Sequence, residues 1–186
     1  MSTSNTEKDV TWKEFLETEP TVSELRDIMR RKRNGYSDLA AKTLLESGPS
    51  NSDLLYIISW FEPLGAEAGK KLLEQGPSDD DLLFIIRCVE PLREEAGKRL
   101  LEQDPSNSDL RVIIKCVEPL REEAGKRLLE QDLPNNYLAQ IIEWVEPLRA
   151  EAWEKLLEQD PSDGDLLSII CYVESLQQEA WERLLE

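Results

Sequence analysis

Histidine is absent from this 186-residue chain, and aromatic residues make up only 6% of it. Without histidine, the chain lacks the commonest general base and the commonest neutral metal ligand of proteins. Its three cysteines, Cys88, Cys116 and Cys171, are odd in number and form no C-x-x-C pair. This usage is typical of reduced thiols, not of a disulfide framework or a zinc site. We therefore predict no catalytic residue, no metal and no cofactor, and we expect that the protein is not an enzyme.

Long apolar segments are missing as well. No apolar run approaches the roughly 18 residues that a membrane-spanning helix needs. The chain begins with MSTSNTEKDV, which contains no apolar core of a signal peptide. We therefore expect a cytoplasmic protein that does not contact membranes, and a disordered tail over residues 1–10.

Positive charge is scarce, because 22 lysines and arginines face 39 acidic residues, for a formal net charge of −17. Residues 77–186 hold 26 acids and 12 bases, a net charge of −14, whereas residues 1–76 hold 13 acids and 10 bases, a net charge of −3. An acidic surface repels nucleic acid and attracts basic partners, although an acidic excess also serves solubility alone. We expect no direct binding of nucleic acid.

What the sequence has in abundance is one unit that repeats every 28 residues. Leucine recurs at that spacing, at Leu54, Leu82, Leu110, Leu138 and Leu166. One copy reads PSDDDLLFIIRCVEPLREEAGKRLLEQ, and the next reads PSNSDLRVIIKCVEPLREEAGKRLLEQ. A fixed period in this range is typical of a solenoid, in which each unit buries its apolar face only by stacking on its neighbours.

Each unit predicts two short helices, which we name helix A and helix B. Ser78 followed by Asp81 has the spacing of a capping box at the start of helix A. Apolar residues then follow at the spacing of one helical face. Glu90-Pro91 predicts the end of helix A and the start of helix B, because proline disfavours helix in the residue before it and fits the first helical position.

The pattern predicts an all-α protein of about six helix pairs, with an N-terminal capping helix before them and 13 helices in all. Residues 11–186 are predicted to form a single domain, with repeats at 21–48, 49–76, 77–104, 105–132, 133–160 and 161–186. Two repeats are irregular. The first replaces the Glu-Pro turn by Asn34-Gly35, and the fifth has Leu133-Pro134 where the others have Pro-Ser.

A D-P-S turn, a short helix and then P-L-x-x-E-A-x-x-x-L-L together resemble the short α-helical repeats of the HEAT-like group. The motif is most similar to the leucine-rich repeat variant type, and the similarity covers roughly residues 11–186. The resemblance implies a right-handed α-solenoid that is used for binding. It supplies no catalytic residues.

Three columns of helix A vary freely from copy to copy. Their candidate binding residues are Tyr56, Phe84, Arg87, Lys115, Glu143 and Trp144. A helical wheel places the first column (56, 84) and the second (87, 115, 143) opposite the core, and the third (144) on its flank. We predict a recognition strip along the first two columns, with drift at tolerant surface positions as the alternative. For the third column, packing between repeats is favoured over binding.

A column of helix B changes from tryptophan to glycine and back. It contains Trp12, Ala41, Gly69, Gly97, Gly125, Trp153 and Trp181. Glycine inside a helix costs about 0.5–1 kcal/mol relative to alanine, so its recurrence predicts the close approach of a neighbouring helix. Tryptophan near the ends predicts either a structural cap or an aromatic hot spot. Trp153 and Trp181 are therefore candidates for binding a partner, and self-association through the C-terminal repeat is a further expectation.

The only basic run, Arg30, Arg31, Lys32 and Arg33, lies in the irregular first repeat. It predicts either contact with an acidic partner or phosphate backbone, or simply the cationic end of a helix.

Altogether the sequence predicts a non-catalytic interaction module or scaffold, which binds a protein or peptide of basic character along its surface. The alternative is an acidic decoy that imitates phosphate charge and inhibits a nucleic-acid-binding protein. A decoy would lose affinity steeply with salt.

Overall fold

The computed structural model describes residues 12–31 and 36–185. Within these ranges the regular elements are all helical, and 13 helices pack in adjacent pairs, which confirms the predicted all-α class and the predicted helix pairs. None of the helices in these ranges is long and apolar enough to cross a membrane. The predicted tail, Lys32, Arg33 and the Asn34-Gly35 turn lie outside the described residues.

Contacts divide the chain into two compact units, residues 1–77 and residues 78–186. The helices of the first unit are α1 (residues 12–16), α2 (Val22–Arg31), α3 (Ser37–Glu46), α4 (Asn51–Trp60) and α5 (Glu62–Glu74). Those of the second unit are α6 (Asp79–Cys88), α7 (Arg93–Glu102), α8 (Asn107–Cys116), α9 (Arg121–Leu129), α10 (Asn135–Trp144), α11 (Arg149–Glu158), α12 (Asp163–Tyr172) and α13 (Gln177–Leu184). From α2 onward, even numbers are A helices and odd numbers are B helices.

Every A helix packs against the B helix that follows it. In the second unit the A helices also lie side by side, with α6 against α8, α8 against α10, and α10 against α12. The repeated isoleucine pairs form the spine of this packing, and in the second unit the fully buried members are Ile85, Ile86, Ile113, Ile114, Ile141 and Ile142. Stacking of the repeats therefore creates one continuous layer of A helices within this unit.

Capping boxes begin four of the A helices, as the Ser-x-x-Asp spacing predicts. In α4, α6, α8 and α12 the serine hydroxyl accepts from the aspartate N–H, and the aspartate carboxylate accepts from the serine N–H. Helix α10 begins after Pro134 and has no side-chain cap. Leu133 is buried at the position that Pro105 occupies one repeat earlier. Leu133-Pro134 therefore keeps a buried apolar residue at this position but provides no side-chain cap for α10.

The Glu-Pro turn of the second unit differs from the prediction. Val89 leaves the helical region (φ −122°, ψ 83°), and Glu90–Leu92 forms a 3-10 turn before α7 begins at Arg93. Proline therefore starts the 3-10 turn, and the α-helix follows it. Nε of Arg93 donates to the carbonyl oxygen of Ile86 at 2.8 Å. This bond satisfies a carbonyl at the end of α6 that has no partner inside its own helix.

An ion pair between buried Asp53 and partly exposed Arg26 joins α2 and α4 in the first unit. Asp53, which is 4% exposed, accepts from Nη2 of Arg26 at 2.8 Å, while its capping bonds to Ser50 remain in place. Burial raises the pKa of Asp53, but hydrogen bonds from Arg26 and Ser50 and the charge of Arg26 outweigh it. The pKa of Asp53 therefore lies below the ordinary value of an aspartate.

Because this pKa is lower in the folded chain, the ionised Asp53 stabilises the fold above the unfolded-state pKa of about 3.9. The contribution is lost as the pH falls through the folded-state value. We expect Asp53→Asn to lower the free energy of unfolding by about 2 kcal/mol at pH 7. The difference from the wild type should shrink below about pH 4, and urea denaturation between pH 3 and 8 measures it.

Asp109→Asn is the matched control, since Asp109 caps α8 and is held by Ser106 alone within the described residues. It should cost about 1 kcal/mol, the value of a cap without an ion pair. Equal losses in the two variants would show that Arg26 adds nothing to the stability of the first unit.

Candidate functional site

The layer of A helices in the second unit carries an open groove of about 750 Å³. We name it the A-helix groove. The lining residues that matter for its chemistry are Arg87, Arg111, Lys115, Glu143, Trp144 and Tyr172. They come from α6, α8, α10 and α12, so stacking of four repeats assembles them. Four of them are among the binding residues that the sequence predicts, and Arg111 and Tyr172 are additions from the structure.

The position of the cations follows from the helical repeat. Ile85 and Ile86 turn into the core at the end of α6, so Arg87 comes next on the solvent side, and Lys115 does the same in α8. A cation in the last turn of a helix is favoured by the helix dipole. Within the described part of the chain, neither Arg87 nor Lys115 forms an ion pair or a side-chain hydrogen bond. Both charges are therefore available to a ligand.

Arg111 is fixed across two neighbouring repeats. Its Nε donates to Oε1 of Gln140 at 2.7 Å, and its Cζ lies 4.7 Å from the ring centroid of Tyr137. Arg26 occupies the same column in the first unit and pairs with Asp53, the residue equivalent to Tyr137. The other repeats have Leu55, Leu83, Ala139 and Leu167 at this position, so the sequence period alone does not identify Arg111.

Trp144 and Tyr172 supply the apolar part of the groove, with 37% and 70% of their surfaces exposed. Cζ of Arg121 lies 5.4 Å from the ring centroid of Trp144, and Nε of Arg121 donates to the carbonyl oxygen of Ile114 at 2.9 Å. The indole is therefore held in place while part of it faces solvent. Packing between repeats, the favoured expectation for this column, is present at Trp144 through Arg121 of the preceding repeat, whereas Trp60 of the first unit is 58% exposed.

The local charge of the groove opposes that of its unit. Three cations, Arg87, Arg111 and Lys115, and one carboxylate, Glu143, line it, which gives 3 − 1 = +2. Residues 78–186 carry 26 acids and 12 bases, a net charge of −14. An isolated positive site on a strongly acidic surface is unlike its surroundings and selects ligands by charge.

In the second unit four glutamates of the B helices are paired with a cation of the same helix. The pairs join Glu94 to Lys98, Glu95 to Arg99, Glu122 to Lys126 and Glu123 to Arg127, with N–O distances of 2.5–2.8 Å. All four pairs have the i,i+4 spacing at which side chains of one helix face meet. These carboxylates are partly neutralised by their own helix.

The helical wheel predicts that the first column of helix A lies opposite the core, and the structure differs from this prediction. Tyr56 and Phe84 are both half-buried. The ring centroid of Tyr56 lies 6.4 Å from that of Trp60 and 6.3 Å from that of Phe61, and α6, which carries Phe84, packs side by side with α8. Phe84 is not among the residues that line the A-helix groove. Tyr56 instead lines a smaller pocket of about 270 Å³ in the first unit, together with Arg26, Arg30 and Asp53.

The two terminal tryptophans of the helix B column differ in exposure. Trp153 is 4% exposed, and its Nε1 is buried with no hydrogen-bond acceptor in the described residues. Its indole is inside the packing, so it does not fit the predicted role of a binding residue. Trp181 in α13 is 50% exposed and stays a candidate. Arg30 and Arg31 are exposed at the end of α2.

The glycines of the same column confirm the predicted close approach. A Cβ placed on Gly125 would lie 2.8 Å from Cδ1 of Leu148 and 3.4 Å from Cγ2 of Val145, both in the next repeat. Gly97 has the same relation to Leu120, also at 2.8 Å. At these two positions glycine lets the 3-10 turn of one repeat pack closely on the B helix before it.

Comparison with known proteins gave no matching family model, no matching curated protein and no matching solved structure. Interpretation of the groove therefore depends on its own chemistry. In the described ranges, no three histidine, cysteine, aspartate or glutamate side chains come together as a metal site. What the groove offers is cationic and aromatic side chains on a layer of four packed A helices.

Proposed function

We propose that this chain is a non-catalytic interaction module and that its second unit docks a segment of a protein or peptide in the A-helix groove. One observation carries the proposal: Trp144 and Tyr172 are exposed in the same groove as the unpaired cations Arg87 and Lys115. Aromatic residues and arginine dominate the binding energy of protein interfaces, because they combine a large apolar area with a polar group.

The proposal includes the finer architecture that the sequence predicts. The chain is taken as a right-handed α-solenoid of about six repeats in one domain, of the HEAT-like, leucine-rich repeat variant type. The side-by-side packing of A helices in the second unit supports such an array. The three cysteines are free, which suits a reducing compartment such as the cytoplasm.

The dimensions of the groove favour an extended segment. Packed helices lie about 8–10 Å apart, so a path across four A helices covers about 24–30 Å, or seven to nine residues of extended chain at about 3.3 Å each. Short segments of this length bind by placing a few anchors in pockets between fixed elements. Because the A helices are held by buried isoleucines, the groove is formed before the ligand arrives.

A selection from a random twelve-residue peptide library tests the proposal. Peptides enriched on the wild-type protein should lose at least about 30-fold in affinity for the double variant Trp144→Ala with Tyr172→Ala, because removal of one hot-spot aromatic costs about 2 kcal/mol. Fluorescence anisotropy with the enriched peptides measures the loss. Circular dichroism of the variant should match the wild type, since both side chains are partly exposed.

Trp181→Ala is the control, because Trp181 is exposed on the B helix α13 and does not line the A-helix groove. Its affinity for the same peptides should equal that of the wild type. If no peptide is enriched, or if the enriched peptides bind the double variant as well as the wild type, the groove is not the docking site. A loss with Trp181→Ala alone would move the site to the C-terminal repeat.

The acidic decoy has less support, because four glutamates of the B helices are paired with lysine or arginine of their own helix. Such pairing dilutes the regular negative charge that would imitate phosphate. Self-association through the C-terminal repeat stays a prediction. Trp181 and Leu185, which are 50% and 73% exposed, would carry it.

A further inference from the structure

We propose that the segment bound in the A-helix groove is acidic: an extended peptide that bears two or more carboxylates beside an apolar residue. This inference rests on the proposed docking function and specifies the chemistry of the ligand. It differs from the expectation drawn from net charge, which is a basic partner, because the groove has a local charge opposite to that of its unit.

The first support is the inventory of charges in the groove. Three cations line it against the single carboxylate of Glu143. A basic segment would place its charges near Arg87, Arg111 and Lys115 and would meet repulsion at each of them. An acidic segment meets repulsion only at Glu143, so the groove discriminates by attraction and by repulsion together.

The second support is the state of the cations. Arg87 and Lys115 are exposed and without a partner within the described residues, so a carboxylate would not have to displace an existing ion pair. Arg111 is held by Gln140 and Tyr137, which orients its guanidinium before binding. A planar guanidinium binds carboxylate through parallel hydrogen bonds, which adds direction to the attraction.

The aromatic residues define the rest of the ligand. Trp144 and Tyr172 lie on α10 and α12, at the other side of the groove from Arg87 on α6. They offer an apolar surface for one leucine, proline or aromatic residue of the segment. The ligand therefore carries its acids toward α6 and α8 and its apolar anchor toward α10 and α12.

A short acidic peptide suits this site better than a nucleic acid, although phosphates and stacked bases would also meet cations and aromatic rings. The attraction of the groove acts within about 8–10 Å at physiological salt. A peptide of seven to nine residues is no longer than the groove, about 24–30 Å, so its charges stay close to the groove cations. A longer polyanion extends onto a surface whose unit carries a net charge of −14. The surrounding acidic helices therefore exclude an extended polyanion.

The test uses three pools of fluorescent nonapeptides that share degenerate apolar positions. Their remaining positions are all Asp or Glu, all Lys or Arg, or all Ser or Asn, and a 20-mer of deoxythymidine is the fourth probe. We expect the wild-type protein to bind the acidic pool at least about tenfold more tightly than the neutral pool, with still weaker binding of the basic pool and of the oligonucleotide. Fluorescence anisotropy at 0.05 M and 0.5 M salt gives the affinities and their dependence on charge.

Reversing the charges of Arg87 and Lys115 gives a second test of the acidic ligand. The double variant Arg87→Glu with Lys115→Glu should lose the acidic pool at least about tenfold and should prefer the basic pool. Lys98→Glu with Lys126→Glu changes the net charge by the same amount on the B helices, where both lysines are exposed. That control should keep the preference of the wild type for acidic peptides, because the change lies outside the groove.

The possible outcomes have different consequences for the acidic ligand and for the docking function. The protein could prefer the basic or neutral pool and lose that preference on mutation of Trp144 and Tyr172. This result would reject the inference that the ligand is acidic and would leave the docking function intact. Tight binding of the oligonucleotide that depends on Arg87 and Lys115 would replace the peptide by a nucleic acid. If no probe binds and the random library also yields no groove-dependent peptide, both the inference and the docking function fail.

Discussion

Proline at position 113 should lower the free energy of unfolding by about 3 kcal/mol or more. Ile113 lies in the middle of α8 and is fully buried. Proline there removes the backbone N–H that bonds to the carbonyl of Asp109, and its ring clashes with that carbonyl. Helix α8 packs against both α6 and α10, so the damage reaches the repeats on either side. Urea denaturation followed by circular dichroism at 222 nm measures the loss.

Asn107→Pro is the matched control in the same helix. Asn107 is the first residue of α8, and Ser106 before it is extended (φ −64°, ψ 163°), which is the conformation that proline requires of its predecessor. We expect a change within about 1 kcal/mol. If Ile113→Pro were no more harmful than Asn107→Pro, α8 would not be a continuous helix in the core of the second unit.

The substitution Gly125→Trp should also destabilise the second unit, by about 3 kcal/mol or more. Overpacking of a close helix contact commonly costs about 1–3 kcal/mol, and an indole adds more volume than the substitutions behind that range. A single Cβ on Gly125 already comes within 2.8 Å of Leu148. The equivalent Trp153 is native and buried, so the effect depends on the neighbouring turn and not on the helix position alone. Urea denaturation of Gly125→Trp against the wild type tests this.

Gly164→Trp places the same side chain where there is room for it. Gly164 is exposed in the first turn of α12, and a Cβ there would meet only Oγ of Ser162, at 3.7 Å. Its stability should stay within about 0.5 kcal/mol of the wild type, as is usual for surface changes. Comparable losses for the two variants would mean that the close approach of adjacent repeats at Gly125 is not what requires glycine.

Helix boundaries and caps could be predicted from the sequence because they depend on neighbours along the chain. The Ser106-Asp109 spacing is enough to predict the capping box of α8, and the spacing of Leu110, Ile113 and Ile114 is enough to predict its buried face. The 28-residue period then predicts that identical faces stack. The structure confirms the caps, the buried faces and, within the second unit, the side-by-side packing of A helices.

The form of the Glu-Pro turn and the exposure of the variable columns could not be predicted from one helix at a time. A helical wheel treats each helix as isolated, and the preference of proline for the first helical position does not distinguish an α-helix from a 3-10 turn. At the turn before α7, Arg93 donates to Ile86 across the helix pair, and the turn before Gln177 is also 3-10. Tyr56 is half-buried beside Trp60 and Phe61, whereas Trp144 lies under Arg121 and keeps 37% of its surface exposed.

The candidate site was predictable residue by residue only in part. Variation between the copies identified Arg87, Lys115, Glu143 and Trp144, but it gave no reason to separate them from Phe84 or Trp153. Their meeting in one groove depends on the lateral packing of four A helices. Arg111 was missed because its partners, Gln140 and Tyr137, belong to the following repeat.

By itself, the sequence determined that the chain is helical, where most helices begin, which residues are apolar and how often the unit recurs, since those properties follow from hydrogen bonds and side-chain spacing within about one helical turn. Only the tertiary structure decided which variable side chains face solvent together. Burial depends on the distance and orientation of helices that are a whole repeat apart, and these are set by side-chain packing such as that of Leu148 on Gly125.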